Sequence, residues 1–373
     1  MKLPRHTAVF ALAFITCALA AGCNRQQPAE GPPPAAPPAP AAPRPPEPTG
    51  PRLYVSDETG GNVIVVDPEA GTVVERIAVG KRPRGIRLSR DGKQLLVALS
   101  GSPIAGPGVD ESKLPPPDRA ADGIGVVDLA THKLVRTHHS GQDPESFDIS
   151  PDGTKVYVSN EDAAEMSVLD LTSGTITARV QVGEEPEAVT LTPDGRFAYV
   201  GCEATNEVVA VDTAANKVAG RVKTGPRPRG IAFTPDGKTA FVGNENGASI
   251  TVIDAVAHKA IATIEIPPTK GAPAAPRPMG AVIAPDGKQL FFSLGREKSI
   301  AILDAVGRKF IRKIDDVGTR PWGIALSADG RKLYTANGGS GDVSVVDVET
   351  GKVEKRITTG GSPWGLVVAM APR

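Results

Sequence analysis

The sequence of 373 residues contains little of what identifies several common classes of protein. It has three cysteines, and Cys202 is the one that lies beyond residue 23, so no disulfide can form within the folded part of the chain. Lysine plus arginine and aspartate plus glutamate number 42 each. This balance gives no attraction to nucleic acid, and we expect no nucleic-acid partner.

Motifs for catalysis and cofactor binding are also missing. The chain has no Cys-x-x-Cys-His segment for covalent haem and no glycine-rich phosphate loop ahead of a helical pattern. Its serines lack a histidine and an aspartate in a triad-like arrangement. We therefore predict no catalytic residue, no metal and no cofactor, and we favour a protein that is not an enzyme.

Residues 1–22 are typical of a secretory signal peptide. Lys2 and Arg5 precede an apolar run over 8–21 that is too short for a membrane span. The run ends in Leu-Ala-Ala-Gly-Cys, which resembles the bacterial lipobox, with its large aliphatic residue one position early. We predict lipid attachment at Cys23. The alternative is an ordinary cleaved signal followed by an incidental cysteine.

Residues 23–51 are rich in proline and alanine and contain no larger aliphatic or aromatic residue. Such a segment cannot form a core, and we interpret it as a lipid-anchored tether for a domain over 52–373. These features predict an extracytoplasmic protein anchored to a membrane. If the organism is Gram-negative, Asn24 after the cysteine favours the periplasmic face of the outer membrane.

From residue 53 onward the sequence is periodic, and this periodicity determines the predicted fold. An aliphatic pair followed by aspartate occurs seven times, with spacings of 61, 42, 42, 42, 50 and 43 residues: Asp67, Asp128, Asp170, Asp212, Asp254, Asp304 and Asp347. Pro-x-Gly or a near variant also occurs seven times. Four short strand-like runs fill each period, as at 230–234, 239–243, 249–254 and 259–265. We predict an all-β, seven-bladed β-propeller of four-stranded blades.

The two ends of the periodic region complement each other. The repeat begins at Leu53 with the second strand of a blade and ends at 365–370 with a first strand. We therefore expect the C-terminal strand to complete the N-terminal blade and to close the ring, which removes a free sheet edge.

Tyr-Val-x-Asn-like segments recur at 54–57, 157–160, 241–244 and 334–337. Together with the aspartate and Pro-x-Gly motifs, they resemble the YVTN-repeat β-propellers of bacterial and archaeal envelope proteins over residues 53–373. The resemblance implies the fold. It implies little about function, because the residues that define this family are packing residues.

The two faces of such a ring differ in the variability of their loops. Adjacent strands of a blade run in opposite directions, so the Asp-Gly turns and the turns after the repeated aspartates share one face, which we call the turn face. The Pro-x-Gly loops share the other face, the loop face. Two insertions, 100–122 and 266–276, both fall on the loop face. We favour a binding surface there over tolerated variation of surface loops.

The residues beside the prolines of the loop face vary in charge and shape. The candidate ligand- or partner-binding residues are Arg82, Arg84, Glu145, Glu187, Arg227, Arg229, Arg277, Arg320, Trp322 and Trp364. Arginines and two aromatic planes suit an anionic or planar ligand, or the acidic loop of a partner. In the alternative interpretation, the arginines and glutamates pair with each other and the tryptophans fill the channel.

Other polar residues have a structural interpretation. Glu58, Glu161, Glu203 and Glu245 follow the second strand of four blades, and with Glu145 and Glu187 they are potential ligands for a hard cation. Their regular repetition favours a structural role. His132 and His258 follow repeated aspartates by four positions, where a left-handed residue is needed, and we interpret them as turn residues.

The function favoured by the sequence is a non-enzymatic, membrane-tethered binding propeller. It would recognise an envelope protein, a peptide or a small anionic ligand on the loop face, as a monomer. The alternative is an enzyme of the channel mouth, lactonase-like or lyase-like, with or without a metal, or an accessory protein of a periplasmic redox pathway. Other seven-bladed propellers include sugar lactonases and lyases that use carboxylates, a histidine and sometimes a metal at the channel mouth. Here the carboxylates are present, but no histidine is expected at the rim.

Overall fold

A computed structural model describes residues 50–104, 113–271 and 274–370. Within these ranges the chain forms 28 β-strands in seven four-stranded antiparallel sheets, so the predicted seven-bladed propeller is confirmed. Three short 3-10 turns interrupt the connections, at Arg119–Ala121, Glu161–Ala163 and Glu245–Gly247. No helix in the described ranges has the length and apolar character needed to cross a bilayer. The predictions for 1–22 and Cys23 lie outside the described residues, as does the predicted tether up to residue 49.

The strands follow one another through the blades in chain order. They are β1 (Pro51–Asp57), β2 (Asn62–Asp67), β3 (Thr72–Ala78), β4 (Pro83–Leu88), β5 (Gln94–Leu99), β6 (Gly123–Asp128), β7 (Lys133–His138), β8 (Pro144–Ile149), β9 (Lys155–Asn160), β10 (Glu165–Asp170), β11 (Thr175–Gln181), β12 (Pro186–Leu191), β13 (Phe197–Cys202), β14 (Glu207–Asp212), β15 (Lys217–Lys223), β16 (Pro228–Phe233), β17 (Thr239–Asn244), β18 (Ser249–Asp254), β19 (Lys259–Glu265), β20 (Pro278–Ile283), β21 (Gln289–Leu294), β22 (Ser299–Asp304), β23 (Lys309–Ile314), β24 (Pro321–Leu326), β25 (Lys332–Asn337), β26 (Asp342–Asp347), β27 (Val353–Thr358) and β28 (Pro363–Met370).

Blade one is built from both ends of the described chain. Its strand order is β28-β1-β2-β3, and blades two to seven take the following strands in groups of four. Strand β1 pairs antiparallel with β28, with Leu53 opposite Val368 and Asp57 opposite Pro363. The expected closure of the ring by the C-terminal strand is therefore confirmed.

The hydrophobic core lies between the blades. Each of seven core clusters combines buried residues of two adjacent blades; one contains Tyr54 of blade one and Val97 of blade two, and another contains Val55 of blade one and Tyr334 of blade seven. A four-stranded sheet cannot cover its own two faces, so each blade depends on both neighbours. Cys202 is fully buried in such a cluster, in the small apolar role that its strand position predicts.

The Pro-x-Gly motif allows the inner strands to approach one another. A Cβ atom added to Gly230 would lie 2.3 Å from the carbonyl oxygen of Met279 in the next blade. In blades three and four the same position holds Ser146 and Ala188, which are the next smallest residues. The repeated glycine is therefore a packing residue, as the resemblance to a packing-defined repeat implies.

The turns after the repeated aspartates follow one pattern. The carboxylate of the aspartate accepts backbone N–H groups two or three residues later, for example Asp254 from Val256 and Ala257. The residue four positions after the aspartate is left-handed, with φ of 53° at His132 and 49° at His258, so their interpretation as turn residues is confirmed. In blade six a glycine, Gly307, stands one position earlier, but Arg308 itself takes the left-handed conformation with φ 52°.

The chain enters the ring from the turn face. Strand β1 ends at Asp57 beside Pro363 on the loop face, whereas Gly50 lies against Glu69 in the turn that follows Asp67. The described parts of the insertion 100–122 lie on the loop face, where Arg119 pairs with Asp162 of blade three at 2.5 Å. Thr269 of the second insertion donates its N–H to Glu297, which follows β21 on the same face. The insertions thus share one face, as predicted.

Candidate functional site

The candidate site is the mouth of the central channel on the loop face. Each inner strand begins with a proline, and the next residue lies at the mouth; around the ring these residues are Trp364, Arg84, Glu145, Glu187, Arg229, Met279 and Trp322. All seven lie beside the prolines of the loop face, at the positions where candidate binding residues were expected. The ring closure places Trp322 of blade seven beside Trp364 of blade one.

Serines on the second strands fix the backbone of these residues. Ser56 donates to the carbonyl of Arg84 at 2.6 Å, Ser159 to Glu187 at 3.1 Å and Ser293 to Trp322 at 2.7 Å. Each bond joins one blade to the next. Since a buried hydroxyl that is satisfied in this way resists rotation, the mouth residues of neighbouring blades are held in register.

The residue before the proline has an unusual backbone in five blades. Arg82, Asp143, Glu185, Arg227 and Arg320 all have φ between 41° and 62°, although none is glycine. Left-handed backbone is costly for side chains of this size, and the residue before proline normally prefers extended backbone. Local strain of this kind clusters at functional sites, and the sequence pattern carries no signal for it.

Arg84 occupies one half of the mouth as a buried cation. Its side chain is 1% exposed, and its guanidinium donates to Glu145 and Asp143 and lies 3.4 Å from Glu161. Arg82 pairs with the same aspartate at 3.6 Å and with Glu58 at 3.1 Å. A cation so enclosed is held by its partners and does not contact solvent.

Arg229 occupies the other half. Its guanidinium pairs with Glu187, with Glu203 at 2.5 Å and with Glu245 at 2.9 Å. Arg227 lies 3.3 Å from Glu245, and Arg277 lies 2.9 Å from the same residue. The arginines of blades five and six therefore share their carboxylates with one another.

The two halves form one network through Glu145, which lies 4.0 Å from Arg229 and also pairs with Arg84. Among the described residues, these ion pairs link five arginines, namely Arg82, Arg84, Arg227, Arg229 and Arg277, with seven carboxyl groups, namely Glu58, Asp143, Glu145, Glu161, Glu187, Glu203 and Glu245. The network has two more acids than bases. Because a buried unpaired charge is costly, the excess favours uptake of protons.

Three of these carboxyl groups form the centre of the network, and we call Glu145, Glu161 and Glu187 the glutamate trio. One oxygen from each lies within 4.8 Å of the others. Burial and repulsion by Glu145 raise the pKa of Glu161 to about 8, and burial raises the pKa of Glu187 well above its ordinary value. Burial opposes ionisation of Glu145 as well, but Arg84 outweighs it and lowers the pKa of that residue to about 2. Glu145 is therefore ionised at neutral pH, the raised pKa of Glu161 keeps that carboxyl group mostly protonated, and burial favours the protonated form of Glu187.

The trio has the oxygen ligands that a hard cation needs, but its surroundings do not suit one. Two guanidinium groups, those of Arg84 and Arg229, already contact these carboxyl groups. A divalent ion would have to displace them or be repelled by them. We therefore interpret the trio as a proton-sharing cluster and not as a metal centre.

The aromatic side of the mouth is formed by the two tryptophans. The rings of Trp322 and Trp364 stack with centroids 5.8 Å apart and planes 21° from parallel. The guanidinium of Arg320 lies 5.0 Å from the ring centroid of Trp322, and that of Arg229 lies 5.6 Å from it. Arg229 thus links the aromatic pair to the glutamate trio.

A cavity of about 610 Å³ lies between these groups and extends along the inner strands of all seven blades as far as the turn-face ends of those in blades six and seven. Glu187 and Arg229 lie on one side of it, and Met279, Trp322 and Trp364 on the other. No histidine is among the described residues that line it. This volume is typical of a pocket for a small molecule.

The sequence analysis named ten rim residues, and the structure places them in two groups. Seven belong to the ion-pair network: Arg82, Arg84, Glu145, Glu187, Arg227, Arg229 and Arg277. Arg320, Trp322 and Trp364 form the aromatic group. Pairing between arginines and glutamates therefore occurs at this rim, as the alternative interpretation held, while the tryptophans leave a cavity open.

The individual partners of the arginines were not predicted from the sequence. Asp143 was not among the candidate residues, and Glu161, Glu203 and Glu245 were considered as potential cation ligands and then given a structural role because they repeat after the second strand. That repetition was the available signal, because the same position in the repeat brings each glutamate to the loop face. Ser100, which donates to Asp143, had no signal.

Comparison with known proteins identifies the family. A family model described as lactonase, 7-bladed beta-propeller, matches residues 178–368, just over half of the chain, and a choice-of-anchor I domain model matches residues 54–220. A curated relative is antigen Lp49 of Leptospira interrogans, 28% identical over 109 residues. That match covers 29% of this chain and 23% of Lp49.

Solved structures with the same fold have diverse functions. The periplasmic gluconolactonase of Pseudomonas aeruginosa is 20% identical with a TM-score of 0.69, and covers 86% of this chain and 99% of its own. Hydrazine synthase of Kuenenia stuttgartiensis is 22% identical with a TM-score of 0.67, over 80% of this chain and 92% of its own. These likenesses support the fold alone. From the architecture and the family match together, the chain belongs to the lactonase family of seven-bladed β-propellers.

Proposed function

We propose that this protein hydrolyses a lactone at the channel mouth. The observation that carries the proposal is the position of Glu187, which lines the cavity and has an oxygen within 4.8 Å of one of Glu145; burial raises the pKa of Glu187, whereas Arg84 lowers the pKa of Glu145. In many hydrolases one carboxyl group with a raised pKa acts as the acid, and a second with a low pKa acts as the base or nucleophile. Membership of the lactonase family agrees with this chemistry.

Each group has a defined role in ring opening. The protonated Glu187 and the guanidinium of Arg229 stabilise negative charge on the carbonyl oxygen as water attacks the carbonyl carbon. The proton of the water passes to an ionised carboxyl group of the trio, for which Glu145 is available. The bond between the carbonyl carbon and the ring oxygen breaks, and a proton from the trio completes the new hydroxyl group. Water is thereby added across one ester bond, and the product is a hydroxy acid.

The arrangement also explains why the arginines are so enclosed. Arg84 holds Glu145 in its ionised form, and Arg229 fixes the position of Glu187. Both cations are tied to several carboxylates, so they need no reorganisation during the reaction. The trio functions as one unit, since protons move among groups within 4.8 Å of one another.

The test is acid release from a panel of five- and six-membered lactones, measured as a rate above spontaneous hydrolysis. We expect Glu187→Gln to lose about a hundredfold or more in kcat, because glutamine cannot transfer a proton. The matched control is Glu207→Gln, which alters an equally buried carboxylate paired with Arg221 and outside the cavity lining. Full activity of Glu187→Gln, or hydrolysis of no lactone by the parent protein, contradicts the proposal.

A second candidate function, binding of an envelope protein or peptide on the loop face, is favoured by the insertions. Both emerge on this face, and the first is attached to blade three through Arg119 and Asp162. A photo-crosslinking residue at position 322 is expected to trap one recurrent protein, and the same probe at Asp194 on the turn face is expected to trap none. Equal labelling from both faces contradicts a one-sided partner surface.

We also propose that the chain is anchored outside the cytoplasm by a lipid on Cys23. The support is the Leu-Ala-Ala-Gly-Cys segment and the proline-rich sequence that follows it. Expression with a labelled fatty acid is expected to mark the parent protein and to leave Cys23→Ser unlabelled and released from membranes. A parent protein without label rules out this anchor.

A further inference from the structure

The cavity has two unlike walls. Glu187 and Arg229 supply a charged wall from blades four and five. Blades six, seven and one supply the opposite wall, which includes Met279, Trp322 and Trp364 with Ile324 and Leu366 behind them. A ligand that fits both walls has one polar end and one apolar end.

Few polar side chains line this cavity. Of its thirty lining residues, six have hydroxyl or charged side chains: Arg87, Ser146, Glu187, Thr190, Arg229 and Ser327. Thr190 donates to the carbonyl of Ile231 and Ser327 donates to Asp329, so two of the six are already engaged, and Glu187 and Arg229 are the residues assigned to the ester group. A polyhydroxylated ring would exchange its hydrogen bonds with water for contacts that cannot replace them.

Of the two stacked tryptophans, Trp364 is the one whose ring is available for contact with a ligand. Trp322 contacts Trp364, Arg320 and Arg229. Among the contacts of the described residues, Trp364 has a single ring partner; it lines the cavity and is partly exposed. The rigid pair behind it lowers the entropy cost of binding a flat group against Trp364.

We propose that the mouth takes a lactone with a flat apolar substituent, such as an aryl group, in preference to a sugar lactone. This inference rests on the proposed hydrolysis and adds the class of substrate. The ester group lies against Glu187 and Arg229, and the substituent lies against Trp364 and Met279. A cavity of about 610 Å³ accommodates both parts.

Binding can be measured without turnover, because the chain contains two tryptophans and both are in this wall. Dihydrocoumarin, a six-membered lactone fused to a benzene ring, is expected to change the tryptophan emission of the full chain in a saturable way. δ-Gluconolactone at the same concentrations is expected to change it little. Glu187→Gln serves for these titrations, because it slows hydrolysis and keeps the apolar wall.

Turnover gives the second test. We expect kcat/KM for dihydrocoumarin to exceed that for δ-gluconolactone by about tenfold or more, and Trp364→Ala to lower the dihydrocoumarin value about tenfold, mainly through KM. Trp364→Phe, which keeps an aromatic face, is expected to restore most of the loss. δ-Valerolactone has the same ester ring without a substituent, so its kcat/KM is expected to change little in either variant.

The outcomes separate this inference from the proposed function. Hydrolysis with δ-gluconolactone preferred, or with dihydrocoumarin insensitive to Trp364→Ala, overturns the substrate class and leaves lactone hydrolysis in place. Saturable binding of dihydrocoumarin without turnover of any lactone overturns hydrolysis and supports the ligand class. Absence of dihydrocoumarin binding together with absence of turnover of any lactone overturns both.

Discussion

Arg84 shows what a single residue does at this mouth. Its guanidinium is enclosed by Asp143, Glu145 and Glu161. The positive charge of the arginine and the negative charges of the carboxylates therefore neutralise each other inside the protein. Removing one partner of such a set lowers the free energy of unfolding by much more than the net contribution of the ion pairs to stability, because the remaining charges stay buried without a partner. The chemistry of the trio therefore depends on a residue that no ligand reaches directly.

We predict that Arg84→Ala lowers the free energy of unfolding by about 3–5 kcal/mol at neutral pH, since it leaves buried carboxylates unpaired. Urea denaturation followed by far-ultraviolet circular dichroism measures the change. The control is Arg320→Ala, which removes an exposed arginine from the same rim, before the proline of blade seven, and is expected to cost less than about 1 kcal/mol. Equal losses in the two variants would show that burial of the cation is unimportant.

The pH dependence of stability follows from Glu161. Its pKa in the folded chain, about 8, lies above the ordinary value of 4.5, so between these values the folded chain holds a proton that the unfolded chain releases. The free energy of unfolding therefore falls as the pH rises from 4.5 to about 8. Glu161→Gln removes this titration, and we expect its thermal midpoint to exceed that of the parent protein at pH 8 but not at pH 4.5. Parallel midpoint curves for the two proteins would contradict a raised pKa.

At the scale of single residues, the sequence predicted which side chains gather at the rim. It did not predict whether they bind a ligand or pair with one another. The ten rim positions follow from the repeat, since equivalent positions reach the same ring. The choice between ligand binding and mutual pairing depends on distances across blades, such as the contact of Arg84 with Glu145. It also depends on the left-handed backbone of Asp143 and Arg227. A residue before proline normally has extended backbone, so the sequence does not predict this conformation.

Elements were more predictable than residues. The four strands expected in blade five lie within two residues of the observed bounds, from Pro228 to Glu265. Alternating apolar residues and Asp-Gly turns set these bounds locally, with little help from the rest of the ring. In the matching turn of blade six, Arg308 takes the left-handed conformation although Gly307 precedes it, because the aspartate cap fixes the turn length.

A matched pair of turn glycines tests how these elements are constrained. Gly195 and Gly92 have φ of 72° and 70°, but a Cβ atom on Gly195 would lie 2.6 Å from Pro151, whereas one on Gly92 would meet nothing within 4 Å. We expect Gly92→Ala to cost about 1–2 kcal/mol for the left-handed backbone alone, and Gly195→Ala to cost more. Urea denaturation of both variants measures the difference, and equal costs would show that Pro151 moves aside freely.

For the whole molecule, closure of the ring joins the two ends of the described chain in one blade. Strand β28 supplies the inner strand of blade one, and Leu366 packs in the cluster that also contains Val55 and Tyr334. Because every cluster joins two blades, loss of one strand exposes two interfaces at once. The sequence predicted this closure from the mismatch between the strands at its two ends.

We expect a chain that ends at residue 362, without β28, to lose cooperative thermal unfolding and to aggregate, because the free edges of β1 and the neighbouring apolar faces become exposed. Removal of 371–373 alone is the control and is expected to leave the transition unchanged. Calorimetry and size-exclusion chromatography distinguish the two. A sharp transition in the shorter chain would mean that the remaining strands suffice.

The family was harder to predict from the sequence than the fold. The Tyr-Val-x-Asn and Pro-x-Gly motifs resemble YVTN-repeat propellers because packing between blades imposes the same small and apolar residues, as the approach of Gly230 to Met279 illustrates. These constraints are shared by propellers of different chemistry, so they identify the fold before the family. The family match rests on residues 178–368 as a whole.

The position of Gly50 beside Glu69 has a consequence for how the protein meets other molecules. Residue 50 begins the described ring on the turn face, whereas the glutamate trio and the two tryptophans lie at the loop face, on the opposite side of the ring. A molecule bound at the loop face is therefore separated from residue 50 by the depth of the blades.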